Sequence, residues 1–251
     1  MIIVIPSRGR ANAVRTLDSI EHGTSVNIVV PTTEAQDYAK AVLEHRSRFD
    51  VKIHGVECSH IGQKRQWIIN KWRGHKIVML DDDLRFRRRY ATDDRFVSAK
   101  PDDISLMIRT LGIALATTPH AGIADEFMCQ HQPRGHKVGG RYNQVLAYDL
   151  GHYLFAREKY SPAFRLAINE EHDLHLQLAR SGYKPIVLTD WTKGSKYNAS
   201  GGCSTWRTPE FERAEFEKFA RLWPDTVSIN TDNKSSISGW STRVNWARAY
   251  R

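Results

Sequence analysis

The stretch that decides the fold is KIVMLDDD, residues 76–83. Its apolar run, residues 77–80, is typical of a strand that is buried on both faces of a sheet. Three carboxylates follow at once, and in open α/β sheets ligands collect beyond the carboxyl ends of the strands. Adjacent acids repel one another, and hard divalent cations prefer carboxylate oxygens. The stretch therefore predicts a core strand that ends either in a metal site or in a solvated acidic turn.

Strands and helices alternate on both sides of this stretch. Before it, strands are predicted at 2–5, 26–30 and 51–56, and helices at about 10–20, 32–45 and 61–72. After it come a helix at 101–116, strands at 122–127, 145–155 and 186–189, and helices at 169–181 and 209–223. Such a βαβ rhythm is typical of a parallel sheet with helices on both faces. The turn after the first strand matches neither the P-loop nor the dinucleotide-binding glycine pattern.

Composition narrows the class of protein. The 251 residues carry a formal net charge of +9 with 41% hydrophobic residues, which is enough for one large domain. The excess of positive charge favours a polyanionic partner or a phosphorylated substrate, and solubility alone is the alternative. No run approaches the ~20 apolar residues of a membrane span, and the first residues lack the features of a signal peptide. We therefore expect a cytoplasmic protein without membrane contact.

Four segments in a fixed order resemble the GT-A fold of family 2-like glycosyltransferases, which use nucleotide sugars. The segments are IPSRGR (5–10), GQKRQ (62–66), DDD (81–83), and EEHDL (170–174) with RSGY (180–183). The resemblance covers roughly residues 1–190. It implies an α/β fold, a GT-A type Rossmann-like α/β/α sandwich with a mostly parallel central sheet and a C-terminal extension.

The same resemblance implies a division of the chain. Residues 1–190 would form the catalytic domain, with a nucleotide-sugar half of about 1–95 and an acceptor half of about 96–190. Residues 191–251 would form an extension that packs on the same domain. Oligomeric state is not predicted.

More narrowly, the chain resembles the TET-associated glycosyltransferases of phages. The segments that carry this resemblance are Asn143–Asp149, Gly201–Ser204 and Arg207–Thr208. It implies that a sugar from a UDP-sugar is transferred to 5-hydroxymethyl-pyrimidine in phage DNA, in the cytoplasm of the host. The alternatives are a saccharide or protein acceptor, or a non-catalytic nucleic-acid-binding protein on a GT-A scaffold.

The resemblance assigns donor and metal residues. The residues expected to bind the nucleotide sugar are Pro6, Ser7, Arg8, Arg10, Gly62, Lys64, Arg65, Asp81 and Asp82. Asp83, assisted by Asp81, is expected to bind Mn²⁺ or Mg²⁺, since these ions suit an oxygen-rich site. An alternative for Lys64 and Arg65 is a solvated helix face. The resemblance also implies a C-terminal histidine as a further metal ligand, but no histidine follows His175. We expect Asp190, Asn198 or water to take its place.

The resemblance also assigns the catalytic residues, whereas basic and aromatic side chains indicate the acceptor contacts. Glu171 is the first choice for the base that takes the proton of the acceptor hydroxyl, and Glu170 is the second. This role assumes inversion at the anomeric carbon, and the alternative is that both acids stabilise the first turn of their helix. The residues expected to contact the DNA acceptor are Arg87, Arg88, Arg141, Trp206, Arg207, Trp240, Arg243 and Trp246. Rings interleaved with cations suit phosphate contact and base stacking, and ordinary helix packing is the alternative.

Overall fold

The computed structural model describes residues 1–43, 49–91, 95–155, 162–194 and 207–251. Trp206, Asn198 and the segment Gly201–Ser204, which were singled out from the sequence, lie outside these residues.

The described elements follow the alternation that the sequence predicts. The strands are β1 (Ile2–Pro6), β2 (Ser25–Pro31), β3 (Asp50–Val56), β4 (Lys76–Leu80), β5 (Arg85–Arg89), β6 (Phe96–Ser98), β7 (His120–Asp125), β8 (His136–Val138), β9 (Val145–Asp149), β10 (Ile186–Gly194), β11 (Val227–Asn230) and β12 (Ser241–Val244). The α-helices are α1 (Ala35–Leu43), α2 (Ile61–Lys71), α3 (Pro101–Ala114), α4 (Glu126–Cys129), α5 (Leu150–Phe155), α6 (Glu170–Arg180), α7 (Pro209–Leu222) and α8 (Trp246–Ala249).

One large sheet organises the molecule. Its strand order is β3-β2-β1-β4-β9-β7-β10-β5-β6, with β8 paired to β10. Strands β5, β8 and β9 run opposite to the others, because each forms antiparallel pairs with strands of the main direction. The prediction of a mostly parallel central sheet is confirmed.

Apolar side chains cover both faces of this sheet. Along β4, Val78 and Leu80 belong to one hydrophobic cluster, and Ile77 and Met79 belong to another. The first cluster includes residues of α1 and α3, and the second includes residues of α2 and α6. Since successive residues of a strand point to opposite faces, a continuous apolar run fits a strand with helices on both sides. The predicted α/β/α sandwich is confirmed.

The sheet brings distant segments of the chain together at one edge. β1 pairs with β4 in parallel, with Val4 opposite Met79, so the turns after both strands meet. β9 pairs with β4 in the antiparallel sense, with Val145 opposite Leu80. The start of β9 therefore lies beside the acids that end β4, and the Asp81 amide donates to the Gln144 carbonyl at 3.0 Å.

Several boundaries differ from the sequence prediction. The helix expected up to residue 20 is only a 3-10 helix, Arg15–Ser19. The strand expected over 145–155 ends at Asp149 and becomes α5, because the Asp149 carboxylate accepts hydrogen bonds from the amides of Gly151 and His152. The arginine-rich strand β5 was not predicted, because Phe86 is its one buried apolar residue.

The C-terminal elements pack against α6. Leu176 of α6 joins Phe219 and Trp223 in a third hydrophobic cluster, to which Val227 of β11 also belongs. β11 and β12 form a separate two-stranded sheet. Across the described ranges, no helix combines the length and apolar character needed to cross a membrane.

Candidate active site

The acids after β4 lie against the turn after β1. Ser7 and Arg10 both donate hydrogen bonds to the Asp82 carboxylate, which is 5% exposed. Arg10 also contacts Oδ2 of Asp83, at 3.1 Å from Nη1. The Thr16 amide donates to the Asp82 carbonyl at 3.1 Å. These contacts fix residues 81–83 against the turn after β1 and the 3-10 helix that follows it. The three acids therefore do not form a solvated turn.

Further contacts fix the turn that follows β1. Pro6, the last residue of β1, is buried. The Lys64 ammonium donates to the Ser7 carbonyl, and the Arg8 guanidinium donates to the Ser59 carbonyl at 2.5 Å. The Gly9 amide donates to Glu34 at 2.7 Å. Groups in α2, just before α2 and just before α1 thus hold this turn in place.

Arg65 joins the two acidic segments of the chain. Its Nη2 lies 2.7 Å from Oδ1 of Asp81, and its Nη1 lies 2.7 Å from both Glu170 and Glu171. Arg65 and Lys64 are each 2% exposed. A solvated helix face is therefore excluded for these two residues, since both charges are buried and hydrogen-bonded.

Burial and the Arg65 charge separate the protonation behaviour of the three acids. Burial raises the pKa of Asp81 to about 6, against the opposing effect of Arg65. Burial also raises the pKa of Glu170, and Arg65 offsets only part of this increase. For Glu171 burial also raises the pKa, but the combined attraction of Arg65, His172 and Lys193 is larger and lowers it below the ordinary value. The site thus contains an ionised Glu171 beside a Glu170 that retains its proton more readily.

A buried lysine forms the wall beside Glu171. Lys193 Nζ lies 2.5 Å from Asp125, 2.8 Å from Asn143 and 2.6 Å from the Gln144 side chain. The Gln144 amide lies 3.5 Å from Glu171. Sequence reasoning missed Asp125 and Lys193. The parallel pairing of β7 and β10 brings them together. The one sequence signal for this cluster is Asp125, an acid near the end of a predicted strand.

The start of α6 is held from the C-terminal side. Asn169 adopts a left-handed backbone (φ 61°), and its side-chain amide donates to Thr242 of β12 at 3.0 Å. Asp173 is fully buried and accepts from Arg165 and from the Trp223 indole, the latter at 2.8 Å. These contacts fix the helix turn that carries Glu170 and Glu171.

The acids offer a partial set of metal ligands. Asp83 contacts Arg10 through Oδ2. No group of three or more His, Cys, Asp or Glu that could hold a metal ion occurs in the described part of the chain. Asp190, a predicted ligand, instead accepts from the Gly135 amide at 3.0 Å and lies 3.5 Å from Arg89. These residues could bind a divalent cation only if substrate phosphates and water supplied the remaining ligands beside one or two carboxylates.

Gly62 lies at the start of α2, where the helix passes close to the chain before α6. A Cβ at Gly62 would overlap the Leu166 carbonyl oxygen. The close packing of α2 against this segment therefore leaves no room for a side chain at position 62.

The arginines expected to contact the acceptor occupy different environments. Arg87 pairs with Glu126, and Arg88 pairs with Asp103 at the start of α3. Arg141 is half-buried, and its Nε has no hydrogen-bond partner within the described ranges. Arg207 is also half-buried. Two of these arginines are thus paired with acids of the same chain.

The aromatic residues of the tail lie in two places. Trp240 packs under the Arg213 guanidinium of α7, at 5.6 Å. Trp246 lies 5.8 Å from the His172 ring and stacks on Tyr250 at 6.0 Å. Trp246 and the exposed Arg243 line one shallow depression of about 400 Å³. The tail therefore reaches the helix that carries Glu171.

Solved structures share this fold. TarS residues 1–349 of S. aureus, in complex with UDP-GlcNAc, aligns with 88% of this chain at 11% identity and a TM-score of 0.56. The mannosyltransferase PcManGT of Pyrobaculum calidifontis, in complex with GDP-Man and Mn²⁺, aligns with 88% of it at 12% identity and a TM-score of 0.54. The present chain spans 66% and 64% of those two chains. The fold is that of the GT-A glycosyltransferases.

The sequence itself identifies the family. The model of the TET-associated glycosyltransferases matches residues 1–202, and the chain belongs to this family. No curated protein matches the sequence.

Proposed function

We propose that the protein transfers a sugar from a UDP-sugar to the hydroxyl of a 5-hydroxymethyl-pyrimidine in DNA. Family membership and the GT-A sheet support the use of a nucleotide sugar. The formal net charge of +9 supports a polyanionic acceptor.

The observation that carries the proposal is the position of Arg65. One buried guanidinium contacts Asp81 at the end of β4 and Glu171 at the start of α6, each at 2.7 Å. A nucleotide sugar at the strand ends and an acceptor hydroxyl near Glu171 would then lie side by side. Holding the two reactants in one geometry is itself a large part of such catalysis.

The edge formed by the turns after β1 and β4 would bind the donor. Arg8 and Arg10 supply positive charge there, and the fixed backbone of the turn supplies a preformed wall. Mg²⁺ or Mn²⁺ held by Asp83 would neutralise charge on the departing diphosphate. Asp81 and Asp82 are held by Arg65, Arg10 and Ser7, so they orient the turn around that position.

In the transfer the acceptor oxygen forms a bond to the anomeric carbon while the bond from that carbon to the diphosphate oxygen breaks. The electron pair of the broken bond leaves with the nucleoside diphosphate. The acceptor proton goes to Glu171, which is ionised and partly accessible, with a side-chain exposure of 14%. Glu170, with 8% side-chain exposure and a raised pKa, is less suited to accept it.

The test combines modified DNA with a panel of UDP-sugars. Nucleosides from duplex DNA that contains 5-hydroxymethylcytosine are analysed by mass spectrometry, with unmodified DNA as the control. We expect a mass increase of one sugar on the modified base alone. The expected increase disappears with EDTA and with Asp83→Asn, but persists with Asp37→Asn, which changes an exposed acid of α1. Transfer to a saccharide with none to modified DNA would refute the acceptor, and full activity of Asp83→Asn would refute the metal role.

A further inference from the structure

A second concave surface lies at the end of α6 that is remote from the acids. This C-terminal groove has a volume of about 690 Å³ and lies between the ends of α6 and α7 and the last four residues of the chain. Its lining includes Arg180, Lys184, Trp223, Arg248, Tyr250 and Arg251. None of its lining residues is among those expected to bind the donor or the metal or to act as the base.

The groove is strongly cationic. Arg180, Lys184 and Arg251 are exposed, and none of them has an ion-pair partner within the described ranges. The single acidic side chain among the lining residues is Asp225, which lies 3.4 Å from Arg248. The Arg180 guanidinium lies 5.9 Å from the Trp223 ring, so cation and ring face the same space. Unpaired cations beside rings suit a phosphate chain with attached bases.

A path connects the groove to the active site. The depression that contains Arg243 and Trp246 shares Thr226 with the groove. Trp246 in turn lies 5.8 Å from the ring of His172, the neighbour of Glu171 in sequence. A chain-like ligand could therefore contact both depressions while one of its units reaches Glu171.

The length of α6 sets the distance between the two sites. Glu171 and Arg180 lie near opposite ends of α6, nine residues or about 2.5 turns apart, so their side chains leave the helix on opposite sides. At about 1.5 Å per residue, they are separated by roughly 14 Å along the helix axis. The axial distance alone corresponds to about four base-pair steps of ~3.4 Å, which is the minimum separation of the two contacts along a duplex.

We propose that the C-terminal groove binds the phosphate backbone of the acceptor DNA at least about four base pairs from the modified base. The inference rests on the proposed DNA acceptor and adds a second contact region to it. The groove would fix the register of the duplex, while the modified base itself enters the site beside Glu171.

The test uses the triple variant Arg180→Ala, Lys184→Ala, Arg251→Ala. The matched control removes the same charge elsewhere, with Lys52→Ala, Lys71→Ala, Arg109→Ala, three exposed cations on other elements. Transfer is measured on a modified duplex of about 20 base pairs and on a modified trinucleotide, which is too short to reach the groove. We expect the KM of the groove variant for the duplex to rise about tenfold, with kcat and the KM for the trinucleotide unchanged. The plot of log affinity against log salt should become less steep by about 2.7, or ~0.9 for each lost phosphate contact.

Three results would overturn the inference. These are an unchanged KM for the duplex, an equal loss on the trinucleotide, and an equal loss in the control variant. Fluorescence anisotropy of a labelled duplex without donor measures binding independently of transfer. A wild-type protein that modifies no DNA would refute the proposed function. A groove variant that binds the duplex as the wild type does would refute only the groove.

Discussion

Arg65 shows how a single residue can bring two sites together. Its guanidinium satisfies three carboxylates from α6 and the end of β4, although Asp81 and Glu170 are far apart in sequence. Removing one partner of a buried ion pair leaves an uncompensated charge, which costs about 3–5 kcal/mol. The residue therefore links the stability of the fold to the position of the proposed base.

Glu171 and Glu170 form a matched pair for testing the catalytic assignment. We expect Glu171→Gln to lower kcat by about 10²–10⁴-fold, because an amide cannot accept the proton. Glu170→Gln should have a smaller effect, since its raised pKa leaves it uncharged more often near neutral pH than an ordinary glutamate. Single-turnover transfer measures the rate, and calorimetry checks that the affinity for the donor is unchanged. A larger loss from Glu170→Gln than from Glu171→Gln would reverse the assignment.

Buried histidines predict a stability change with pH. Burial lowers the pKa of His120 to about 3, while the unfolded chain has an ordinary value of about 6.5. Below that value the unfolded state binds a proton that the folded state does not, so the free energy of unfolding falls as the pH falls. For one such group the loss between pH 7.5 and 5.5 is about 1.4 kcal/mol.

A comparison of the wild type with His120→Asn isolates the contribution of His120 to this loss of stability. Asp81 and Glu170, with raised pKa values, change stability in the opposite direction over the same range. Urea unfolding of the wild type and of His120→Asn at both pH values cancels these effects. We expect the variant to lose about 1.4 kcal/mol less than the wild type on acidification. Equal losses would show that His120 does not titrate in this way.

At the scale of elements, α2 depends on a close approach to the chain before α6. A side chain at Gly62 would overlap the Leu166 carbonyl oxygen, whereas a side chain at Gly112 in α3 would meet nothing within 4 Å. We expect Gly62→Ala to destabilise the protein by about 1–3 kcal/mol, because backbone atoms must move. Gly112→Ala should stabilise it by about 0.5–1 kcal/mol, since alanine loses less conformational entropy in a helix.

Denaturant midpoints of the two variants decide this prediction. The substitution is the same and both positions are helical, so a difference in sign reports packing alone. A neutral or stabilising Gly62→Ala would show that α2 and the segment before α6 can separate without cost.

At the scale of the whole molecule, α6 joins the sandwich to the C-terminal elements. Leu174 and Leu178 belong to the cluster on one face of the sheet, and Leu176 belongs to the cluster with Phe219 and Trp223. The Trp223 indole also donates to the buried Asp173. We therefore expect one cooperative unfolding transition for the full chain.

Circular dichroism and tryptophan fluorescence should give coincident unfolding curves, because neither part can unfold while α6 remains packed. Two separate transitions would show that residues 209–251 form an independent unit. Trp223→Phe should lower the midpoint of both signals together, since it removes a hydrogen bond to a buried carboxylate.

The sequence alone determined the order of elements and the class of fold. The run IVML is buried on both faces, so local composition was enough to place β4 and the acids after it. The motif segments were enough to predict the GT-A sheet and the family. Boundaries failed where a polar side chain acted locally, as Asp149 does when it ends β9 and begins α5.

Only the tertiary structure decided which charges meet. Lys64 and Arg65 are adjacent in sequence, yet one holds the Ser7 carbonyl and the other holds three acids. The cluster around Lys193 and the C-terminal groove depend on strand pairing and helix ends that are remote in sequence. Local pattern reports which faces are apolar, because that is a property of neighbouring residues. The contacts of a buried charge depend on where distant segments of the chain come to lie, and the packed fold alone sets those positions.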